Sequence, residues 1–440
     1  MALKYRAPKG TFDLVYPDSE KFEAVVGVAC EVMALYGYQR IVTPVIENTE
    51  LFQRSIGEGT DIVTKEMYSF EDRGGEWLTL RPEGTAPVVR AFLERGLASR
   101  GLPQKVYYAG PMFRRERPQA GRFRQFYQIG AEAIGSDDPF LDAEIIAISD
   151  HLFKRLGLTG YSLLLNSVGC AECRPDYVSK LGAFLAGLAP QLCEDCQRRA
   201  TENPLRVFDC KKEPCKAVVA GAPTIGSMLC PRCREQLDAV IGHLDRLGIP
   251  FEMDERMVRG LDYYTNTAFE FQFEGLGAQN TVSGGGRYDY LAEQLGGPPT
   301  PGVGYSLGIE RLVMVLEDQG LDPCPPARLD VFIAGAPGVD RERVLEMLTD
   351  MRREGVSADA DVMGRGLKAQ MKQADRLGAR LVLIMGPDEL ERGEVTVRDL
   401  DASTQWEVPA LRAVQRVMEY LAENPAQKAC ALPESENPDG

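Results

Sequence analysis

A proline-rich segment divides the chain into two parts whose apolar residues follow different patterns. Residues 322–328 read DPCPPAR, and three prolines in seven residues are typical of a linker. The strand candidates before it lie at 104–109, 124–132, 267–273, 280–283 and 302–308. Because several of them follow one another directly, the order favours an α+β domain in which helices flank an antiparallel sheet.

The N-terminal region predicts a helix followed by an interrupted strand. Apolar residues recur at helical spacing over 20–36, and Gly37 suits the end of that helix. The next apolar stretch, RIVTPVIE at 40–47, is broken by Pro44. Since proline cannot donate to a strand ladder, this segment is expected at a sheet edge or at an interface.

Strands alternate with helices in the part beyond the linker. Strands are predicted at 329–334, 356–362, 379–386 and 393–400, and helices at 339–354, 366–377 and 411–421. This alternation predicts a small α/β domain over 328–424. The tail at 425–440 is polar and rich in proline, and we expect it to be disordered.

The charge of the chain limits where a nucleic acid could bind. The formal net charge is −15, which argues against extensive phosphate contacts. Residues 114–124, RRERPQAGRFR, nevertheless hold five arginines and one glutamate. An acidic surface would repel nucleic acid except at such a basic patch.

Two classes of protein are not expected. The sequence has no apolar run of membrane-spanning length and no secretory signal, so a soluble cytoplasmic protein without membrane contact is predicted. Its two histidines, His151 and His243, lie outside every motif described below. Chemistry that depends on histidine as a general base or nucleophile is therefore not expected.

One predicted strand could line a polar ligand site. In RQFYQIGAE at 124–132, alternation places Phe126, Gln128, Gly130 and Glu132 on one face. The glycine between two polar side chains leaves room for a small ligand. The alternative is a half-exposed strand whose polar side faces water.

Arginine is concentrated in the loop before this strand. Arg114 and Glu116 begin a long connection within GPMFRRERPQAGRFR. The planar donor fork of a guanidinium suits a phosphate group. The alternative is a solvated, charged hairpin.

Two further segments combine charge, tyrosine and glycine. RGLDYYT at 259–265 joins a cation, a carboxylate and two tyrosines, and GGGRYD at 284–289 places three glycines before Arg287 and Tyr288. Such glycines allow close approach of the backbone to a ligand, or alternatively form only a tight turn. Neither nucleotide-binding glycine fingerprint is present.

The segment GVGYSLGIERLVMVLE at 302–317 predicts a strand that runs into a helix. Gly304, Ser306 and Gly308 share one face of the strand, and these residues are small enough for a flat base to lie on them. Arg311 falls in the first helical turn, where the helix dipole disfavours a cation. This position indicates that Arg311 serves a ligand phosphate.

Eight cysteines fall between 170 and 233. They form four close pairs: Cys170 and Cys173, Cys193 and Cys196, Cys210 and Cys215, Cys230 and Cys233. The first two pairs stand nineteen residues apart, which matches a zinc-ribbon spacing. Eight thiolates could hold two structural Zn²⁺ ions, and four pairs can form two sites in three ways.

The alternative for these cysteines is a set of reduced, partly buried thiols. Disulfides are not expected in a reducing compartment. Cys30, Cys324 and Cys430 are isolated and are expected to be inert. The cysteine-rich piece at 167–250 interrupts the first domain, because strand and glycine motifs resume after it.

Several of these blocks together resemble the class II aminoacyl-tRNA synthetases. FRRE with its loop and GVGYSLGIER resemble motifs 2 and 3 of that class, and YGYQRIVTPVIE resembles motif 1. RGLDYYT and LRPEGTAPVVR are similar to blocks specific to the histidyl family, and GRGLKAQMKQADRLGARLVLIMGPDEL resembles its anticodon-binding domain. The resemblance runs from KGTFD at 9–13 to about residue 424.

The resemblance implies a class II synthetase fold with an insertion. The α+β catalytic domain would comprise 1–166 and 251–322, with an antiparallel sheet flanked by helices. A cysteine-rich insertion domain would occupy 167–250, and an α/β anticodon-binding domain would occupy 328–424. The family requires no metal in the insertion, so the resemblance does not support zinc.

The resemblance also implies roles for individual residues. Glu83, Thr85 and Gln128 would hold the amino-acid end of histidine. Glu132 and Tyr264 would bond the imidazole nitrogens, and Tyr263 and Tyr288 would complete that pocket. Arg114 and Arg259 would bind the α-phosphate, Glu116 would orient ATP, Arg122 would close over it, and Arg311 would meet the distal phosphates.

The implied activity is the ATP-dependent ligation of L-histidine to tRNA(His) by a homodimer, with Mg²⁺. One alternative is the regulatory synthetase-like paralogue of ATP phosphoribosyltransferase, which usually lacks the anticodon-binding domain and active-site residues. Another is a zinc-bearing RNA-binding protein without catalysis. This chain keeps the anticodon-binding domain and the active-site residues, which argues against the first alternative, and intact Arg114, Arg259 and Arg311 argue against the second.

Overall fold

The computed structural model describes residues 5–57, 60–323 and 328–425. The chain forms two compact units, and the first ends at Pro323, within the predicted linker. Most of the predicted tail, together with Cys324 and Cys430, lies outside the described residues. No helix in the described ranges is long and apolar enough to cross a membrane.

The α-helices of the described residues are α1 Asp18–Leu35, α2 Thr49–Ile56, α3 Thr85–Glu94, α4 Pro139–Arg155, α5 Arg174–Gly187, α6 Glu194–Glu202, α7 Glu213–Ala220, α8 Pro231–Leu247, α9 Leu291–Gln294, α10 Ile309–Asp318, α11 Arg341–Arg353, α12 Leu367–Arg376, α13 Pro387–Glu391 and α14 Ala413–Glu423.

The strands are β1 Gln39–Arg40, β2 Ile46–Asn48, β3 Tyr68–Glu71, β4 Trp77–Leu80, β5 Gln104–Phe113, β6 Gln125–Ile134, β7 Tyr161–Ser167, β8 Glu252–Met253, β9 Thr265–Phe273, β10 Thr281–Arg287, β11 Gly302–Gly308, β12 Val331–Gly335, β13 Ala358–Ala360, β14 Leu381–Met385, β15 Glu394–Asp399 and β16 Gln405–Pro409.

The first unit is built on an eight-stranded sheet in the order β1-β5-β6-β11-β10-β9-β7-β8. The six central strands pair antiparallel, which confirms the prediction for the body of the sheet. Both edges depart from it, because β1 and β8 pair parallel with their neighbours. Each edge strand has only two residues, so the sheet is mixed only at its borders.

The proline in RIVTPVIE divides the predicted strand in two. β1 ends at Arg40 and β2 begins at Ile46, with Pro44 between them. β1 lies at one edge of the large sheet, and β2 lies at the edge of a three-stranded sheet. The predicted edge position is confirmed, because a residue without an N–H cannot continue a ladder.

Apolar side chains cover one face of the large sheet. On β6, Ile129, Ala131 and Ala133 belong to the core that α1, α4, α8 and α10 complete. On β11, Val303 and Leu307 belong to the same core. Since successive side chains of a strand point to opposite faces, the polar and small residues between them face the other side.

The three glycines at 284–286 do not form the tight turn that was considered as an alternative. They lie inside β10, paired with β9 on one side and β11 on the other. A Cβ on Gly285 would lie 2.1 Å from the carbonyl oxygen of Gly304. Glycine is needed here because neighbouring chains pack against the strand too closely for a side chain.

The cysteine-rich region is helical. The helices α5, α6 and α7 enclose a small core that includes Tyr177, Leu181 and Leu185. The helix α8 packs differently, because its Val240 and Leu244 belong to the core of the large sheet. The helix α8 therefore links the insertion to the large sheet. The domain limits at 166 and 251 stay a prediction.

The second unit carries a five-stranded sheet in the order β13-β12-β14-β15-β16. β13, β12 and β14 are parallel, and β15 and β16 are antiparallel to their neighbours. The predicted alternation of strands and helices is therefore confirmed. β16 was not predicted, since its sequence QWEVP is short, only half apolar and ends in proline.

Candidate active site

A cavity of about 900 Å³ opens on the face of the large sheet that carries the polar residues. Of the twelve residues to which the resemblance assigns a role, ten line it: Glu83, Thr85, Arg114, Glu116, Arg122, Gln128, Arg259, Tyr263, Tyr264 and Arg311. The other two, Glu132 and Tyr288, are almost fully buried beside it. Residues from separate parts of the sequence are thus gathered at one place.

The floor of the cavity comes from the register of two strands. Gly304 pairs with Glu132, and Gly308 pairs with Gln128. The two faces predicted for β6 and β11 are therefore the same face of the sheet. A Cβ on Gly304 would lie 1.8 Å from Glu132 Oε2, so glycine is required where the carboxylate crosses the neighbouring strand.

Glu132 lies in a closed hydrogen-bond network. Thr85 Oγ1 donates to Glu132 Oε1 over 2.7 Å, and the Tyr288 hydroxyl donates to Oε2 over 2.6 Å. Burial raises the pKa of Glu132 to about 8, although both hydrogen bonds and their stabilisation of the anion oppose the shift. This carboxyl can therefore change its protonation state near neutral pH.

Glu83 caps the start of α3. Its carboxylate accepts hydrogen bonds from the backbone N–H groups of Thr85 and Ala86, over 2.6 and 3.0 Å. The Tyr263 hydroxyl lies 3.4 Å from the same carboxylate. Burial raises the pKa of Glu83, while the two backbone donors favour its charged form. The first turn of α3 therefore fixes the orientation of this carboxylate.

Gln128 presents an unused acceptor. Among the described residues, its Oε1 atom is buried without a hydrogen-bond partner. The side chain lines the cavity next to Glu83 and Thr85. A buried amide oxygen in this state favours a ligand that brings an N–H group, because unpaired polar atoms are costly.

Seven arginines line the cavity, and the four that were predicted to bind ATP reach it from three parts of the fold. Arg114 and Arg122 come from the loop between β5 and β6, Arg259 precedes β9, and Arg311 lies in α10. Arg114 Nε donates to the carbonyl of Pro82 over 2.9 Å, and its guanidinium lies over the Phe126 ring. The predicted long arginine-rich connection is confirmed between Phe113 and Gln125.

Arg259 is held against Glu270, a residue that the sequence did not single out. The guanidinium bonds the Glu270 carboxylate and lies 5.9 Å from the centre of the Tyr264 ring. A Cβ on Gly284 would meet the Arg259 guanidinium at 2.6 Å. The alternation of TNTAFEFQF places Glu270 opposite the phenylalanines, which is the signal that could have identified it.

Arg311 is fixed at the other wall. Its Nε donates to the Gly121 carbonyl over 2.9 Å, and its Nη1 donates to the Thr281 carbonyl over 2.6 Å. Burial lowers the pKa of Arg311, and the nearby cations Arg122 and Arg114 lower it further. Glu116, 2.5 Å from Arg122, partly offsets this concentration of positive charge. A polyanion would offset it more fully.

The insertion reaches the RGLDYYT segment, which nothing in the sequence indicated. Arg206 Nη1 donates to the Arg259 carbonyl over 2.9 Å, and its Nη2 pairs with Asp262 at 2.6 Å. Arg287, in contrast, is fully buried and bonded to Asp142 and Asp289. Its role is to join β10 to α4, since no part of its side chain is exposed.

The eight cysteines form two groups of four. Cys170 and Cys173 lie with Cys230 and Cys233, and the second group consists of Cys193, Cys196, Cys210 and Cys215. Within each group the sulfurs lie within 4.8 Å of one another. The sequence left three pairings open, and the structure combines the first pair with the fourth and the second with the third, rather than the first two pairs, whose spacing matches a zinc ribbon. The helix α5 separates them and carries the chain between the two groups.

Family models match most of the chain. A model described as histidyl-tRNA synthetase matches residues 10–173 and 216–312, and one described as an anticodon binding domain matches 332–420. The first match leaves out 174–215, which hold the second group of cysteines. The cysteine-rich insertion therefore lies partly outside what the family model describes.

Relatives match over nearly their whole length. The histidine–tRNA ligase of Moorella thermoacetica is 51% identical over 92% of this chain and 96% of the relative, and that of Halothermothrix orenii is 46% identical over 94% and 99%. A crystal structure of apo histidyl-tRNA synthetase from S. aureus has a TM-score of 0.80 at 36% identity, covering 94% of this chain and 99% of that one. The chain belongs to the histidyl-tRNA synthetase family.

Proposed function

We propose that the protein joins L-histidine to the 3′ end of tRNA(His) through a histidyl-adenylate. The observation that carries this proposal is one cavity with two chemically different ends. Buried carboxyl and hydroxyl groups gather at one end, and the four arginines predicted to bind ATP line the other. Such a cavity suits a small polar amino acid beside a polyphosphate.

The carboxyl end would bind histidine. Glu83 and Gln128 offer acceptors to its ammonium group, and the unpaired Oε1 of Gln128 supports this assignment. Glu132 and Tyr264 would bond the imidazole nitrogens. Glu132 can accept or donate a proton near neutral pH, as an imidazole partner should.

The arginine end would bind ATP. Arg114 and Arg259 would hold the α-phosphate, Arg311 would meet the distal phosphates, and Arg122 would close over the nucleotide. The concentration of positive charge around Arg311 supports a polyphosphate ligand. Glu116 would orient ATP by holding Arg122 and Arg114 in place.

The chemistry follows from charge. A carboxylate oxygen of histidine attacks the α-phosphorus, and the bond from that phosphorus to pyrophosphate breaks. The substrate carboxylate is already ionised at neutral pH, so the step needs no general base. Arg114 and Arg259 stabilise the charge that develops at phosphorus. The terminal ribose hydroxyl of tRNA then attacks the carbonyl carbon, and AMP leaves.

Two carboxylates that line the cavity, Glu66 and Glu116, would suit Mg²⁺. Burial and the charge of Glu116 together raise the pKa of Glu66, so these two groups repel each other. A divalent cation would relieve that repulsion, and oxygen ligands suit Mg²⁺. Glu66 and Glu116 would hold the ion, which would supply positive charge to offset that of the phosphates.

The second unit would bind the anticodon, and two copies of the chain would form a cytoplasmic homodimer. The exposed apolar side chains around the segment that resembles motif 1 support dimerisation. Leu35, Val42 and Ile46 are 65%, 79% and 45% exposed. Apolar side chains clustered in this way favour a protein interface.

The regulatory paralogue of ATP phosphoribosyltransferase is not supported as an alternative. A paralogue without catalysis has no need of cations aimed at a phosphate, yet all four arginines line the cavity. Such a paralogue also does not need a separate unit that binds an anticodon. The match of that unit over 332–420 speaks for the ligase.

Structural Zn²⁺ is a further part of the proposal. The two groups of cysteines each supply four sulfurs, which is the ligand set of a closed zinc site. A tetrahedron with Zn–S bonds of about 2.3 Å has edges of about 3.8 Å. The sulfur separations of 3.8 and 3.9 Å in the first group and 4.0 Å in the second agree with that value.

A pyrophosphate exchange assay tests the proposed activity. With ATP and Mg²⁺, we expect exchange with histidine and none above background with the other standard amino acids. The reason is that Glu132 and Tyr264 would both bond a ring that carries two nitrogens. Comparable exchange with another amino acid would contradict the assigned substrate, and no exchange with any amino acid would contradict the assigned enzyme.

A further inference from the structure

Each cysteine pair of the first group is followed by an arginine. The two segments read CAECR at 170–174 and CPRCR at 230–234. In both, the arginine begins or lies near the start of a helix, α5 or α8. The two arginines therefore occupy equivalent positions beside one group of sulfurs, and their contacts can be compared directly.

The two arginines bond different parts of the protein. Arg174 donates to the carbonyls of Val168 and Gly169 over 2.9 and 3.3 Å, and also to the carbonyl of Tyr264. Arg234 donates to the carbonyl of Gly226, within the insertion. Only Arg174 of this pair thus reaches the segment that carries the proposed histidine-binding tyrosines.

A second connection runs through the backbone. The Asn266 N–H donates to the Gly169 carbonyl over 2.9 Å, and the Val168 N–H donates to the Asn266 carbonyl over 2.7 Å. Asn266 has a φ of +47°, a conformation that asparagine and glycine adopt most readily. The residues before Cys170 and those after Tyr264 are therefore tied together.

The fourth cysteine pair stands on a rigid support. Cys233 lies in the first turn of α8, and Leu237, Val240 and Leu244 of that helix are buried in the core of the large sheet. The first pair has no such support, because it lies between β7 and α5. An ion bound to all four sulfurs would fix the first pair to α8.

We propose that Zn²⁺ bound by Cys170, Cys173, Cys230 and Cys233 positions Arg174, which in turn holds the Tyr264 backbone in the histidine pocket. This inference rests on the proposed function of that pocket. Arg174 is a positioning residue, since its contacts are to main-chain carbonyls and it does not line the cavity. The site would set the affinity for histidine and leave that for ATP unchanged.

The charges are consistent with this arrangement. A zinc ion with four thiolates carries a net negative charge, and Arg174 directly follows the proposed ligand Cys173 in the chain. Its guanidinium is largely buried, where a neighbouring anion stabilises it. Metal binding would thus favour the position in which Arg174 bonds the carbonyls of Val168 and Tyr264.

The matched pair Arg174→Ala and Arg234→Ala tests the inference in the full-length enzyme. Both variants should keep the zinc of the parent protein, measured by elemental analysis. In pyrophosphate exchange, Arg174→Ala should raise the KM for histidine roughly tenfold or more, the effect of losing a charged hydrogen bond, with the KM for ATP unchanged. Arg234→Ala should leave both constants unchanged.

Two more variants separate the metal from the arginine. Cys233→Ser should lose zinc from one site and raise the KM for histidine as Arg174→Ala does, whereas Cys30→Ser, outside both groups, should do neither. Calorimetric binding of histidine provides a readout that does not depend on turnover. It also shows whether a Cys233→Ser protein with low activity still folds and binds ATP.

The outcomes are distinct. Parent enzyme without zinc but with normal histidine binding would overturn the metal site. An unchanged KM for histidine in Arg174→Ala, or equal rises for histidine and ATP, would overturn the positioning role. Either result leaves the proposed activity intact, whereas a parent enzyme that shows no exchange with histidine would contradict the activity itself.

Discussion

At the scale of single residues, Glu132 shows how burial changes the acidity of a common side chain. An exposed glutamate is ionised throughout the neutral range. Burial between β6 and β11 raises the pKa of Glu132 to about 8, and the Thr85 and Tyr288 hydroxyls still bond it. The folded protein therefore holds a proton on this group that the unfolded chain releases near pH 4.5.

This difference predicts how stability depends on pH. A group that binds its proton more tightly in the folded state stabilises the fold below its unfolded pKa, and that contribution is lost as pH rises through the folded value. The parent protein should therefore become less stable relative to Glu132→Gln between pH 5 and 8, by up to about 1.4 kcal/mol per pH unit. Chemical denaturation of both proteins across this range measures the difference.

Comparing the parent protein with Glu132→Gln removes the contribution of every other group that titrates in both. Glu310, whose pKa burial raises to about 7, titrates in both proteins and cancels in the difference. A difference in stability that stays constant from pH 5 to 9 would show that Glu132 is ionised throughout.

The sequence identified residues whose chemistry is unusual for their position. It missed residues that matter because they bond a site residue in the folded protein. Gln128 and Glu132 followed from alternation on one strand, and Arg311 from a cation in the first turn of a helix. Glu270 and Arg206 were missed, because one is a partner of Arg259 and the other lies in the insertion. Such partners depend on tertiary packing, which alternation within a single element does not describe.

At the scale of elements, glycines in β10 and β11 allow charged side chains from neighbouring segments to pack directly against these strands. Gly304 lies under the Glu132 carboxylate and Gly284 under the Arg259 guanidinium. Local propensity disfavours glycine in a strand, so these positions are explained by neighbours rather than by the strand itself. A side chain added at either glycine would therefore disturb one particular neighbour, Glu132 or Arg259.

Gly304→Ala should therefore impair histidine binding. The new Cβ would lie 1.8 Å from Glu132 Oε2, and the carboxylate would have to leave its network. We expect the KM for histidine to rise by roughly tenfold or more, as when a buried polar network loses its geometry. Exchange kinetics at varied histidine concentration provide the measurement.

Gly242→Ala in α8 is the matched control. Nothing lies within 4 Å of its new Cβ, and a helix interior favours alanine by roughly 1 kcal/mol. This variant should bind histidine normally and be slightly more stable. Equal losses in the two variants would mean that general destabilisation, not the Glu132 contact, explains the Gly304→Ala result.

Most helices and strands could be predicted from the sequence. β11 was predicted at its observed limits because an apolar run ends where a helix begins. β10 was predicted too short, since three glycines look like a turn when their neighbours are unknown. The pairing of the cysteines was open for the same reason, because spacing along a chain does not say which turns meet.

At the scale of the whole molecule, the two units have separate cores. The buried side chains of β12, β14 and α14 pack within the second unit. Its sheet, from β12 to β16, shares no strand with the large sheet. Every described residue that lines the cavity likewise belongs to the first unit.

Removal of residues 328–440 should therefore separate the two half-reactions. Pyrophosphate exchange should stay within a few-fold of the parent, because every cavity residue is retained. Charging of tRNA should fall far more, since the proposed anticodon contacts are lost. Both rates are measured on the same preparation, and a truncated protein that loses exchange as well while keeping its circular dichroism would contradict the independence of the two units.

The order of the strands in space differs from their order in the chain, and this affects the chain while it is being made. β6 ends at Ile134, but its neighbour β11 begins only at Gly302, after the insertion. At about 5–20 residues per second, the ribosome needs on the order of ten seconds or more to deliver it. During that interval one side of β6 is an open edge, which invites pairing with other nascent chains on the same messenger. The insertion thus lengthens the time for which the growing protein must be kept apart from its neighbours.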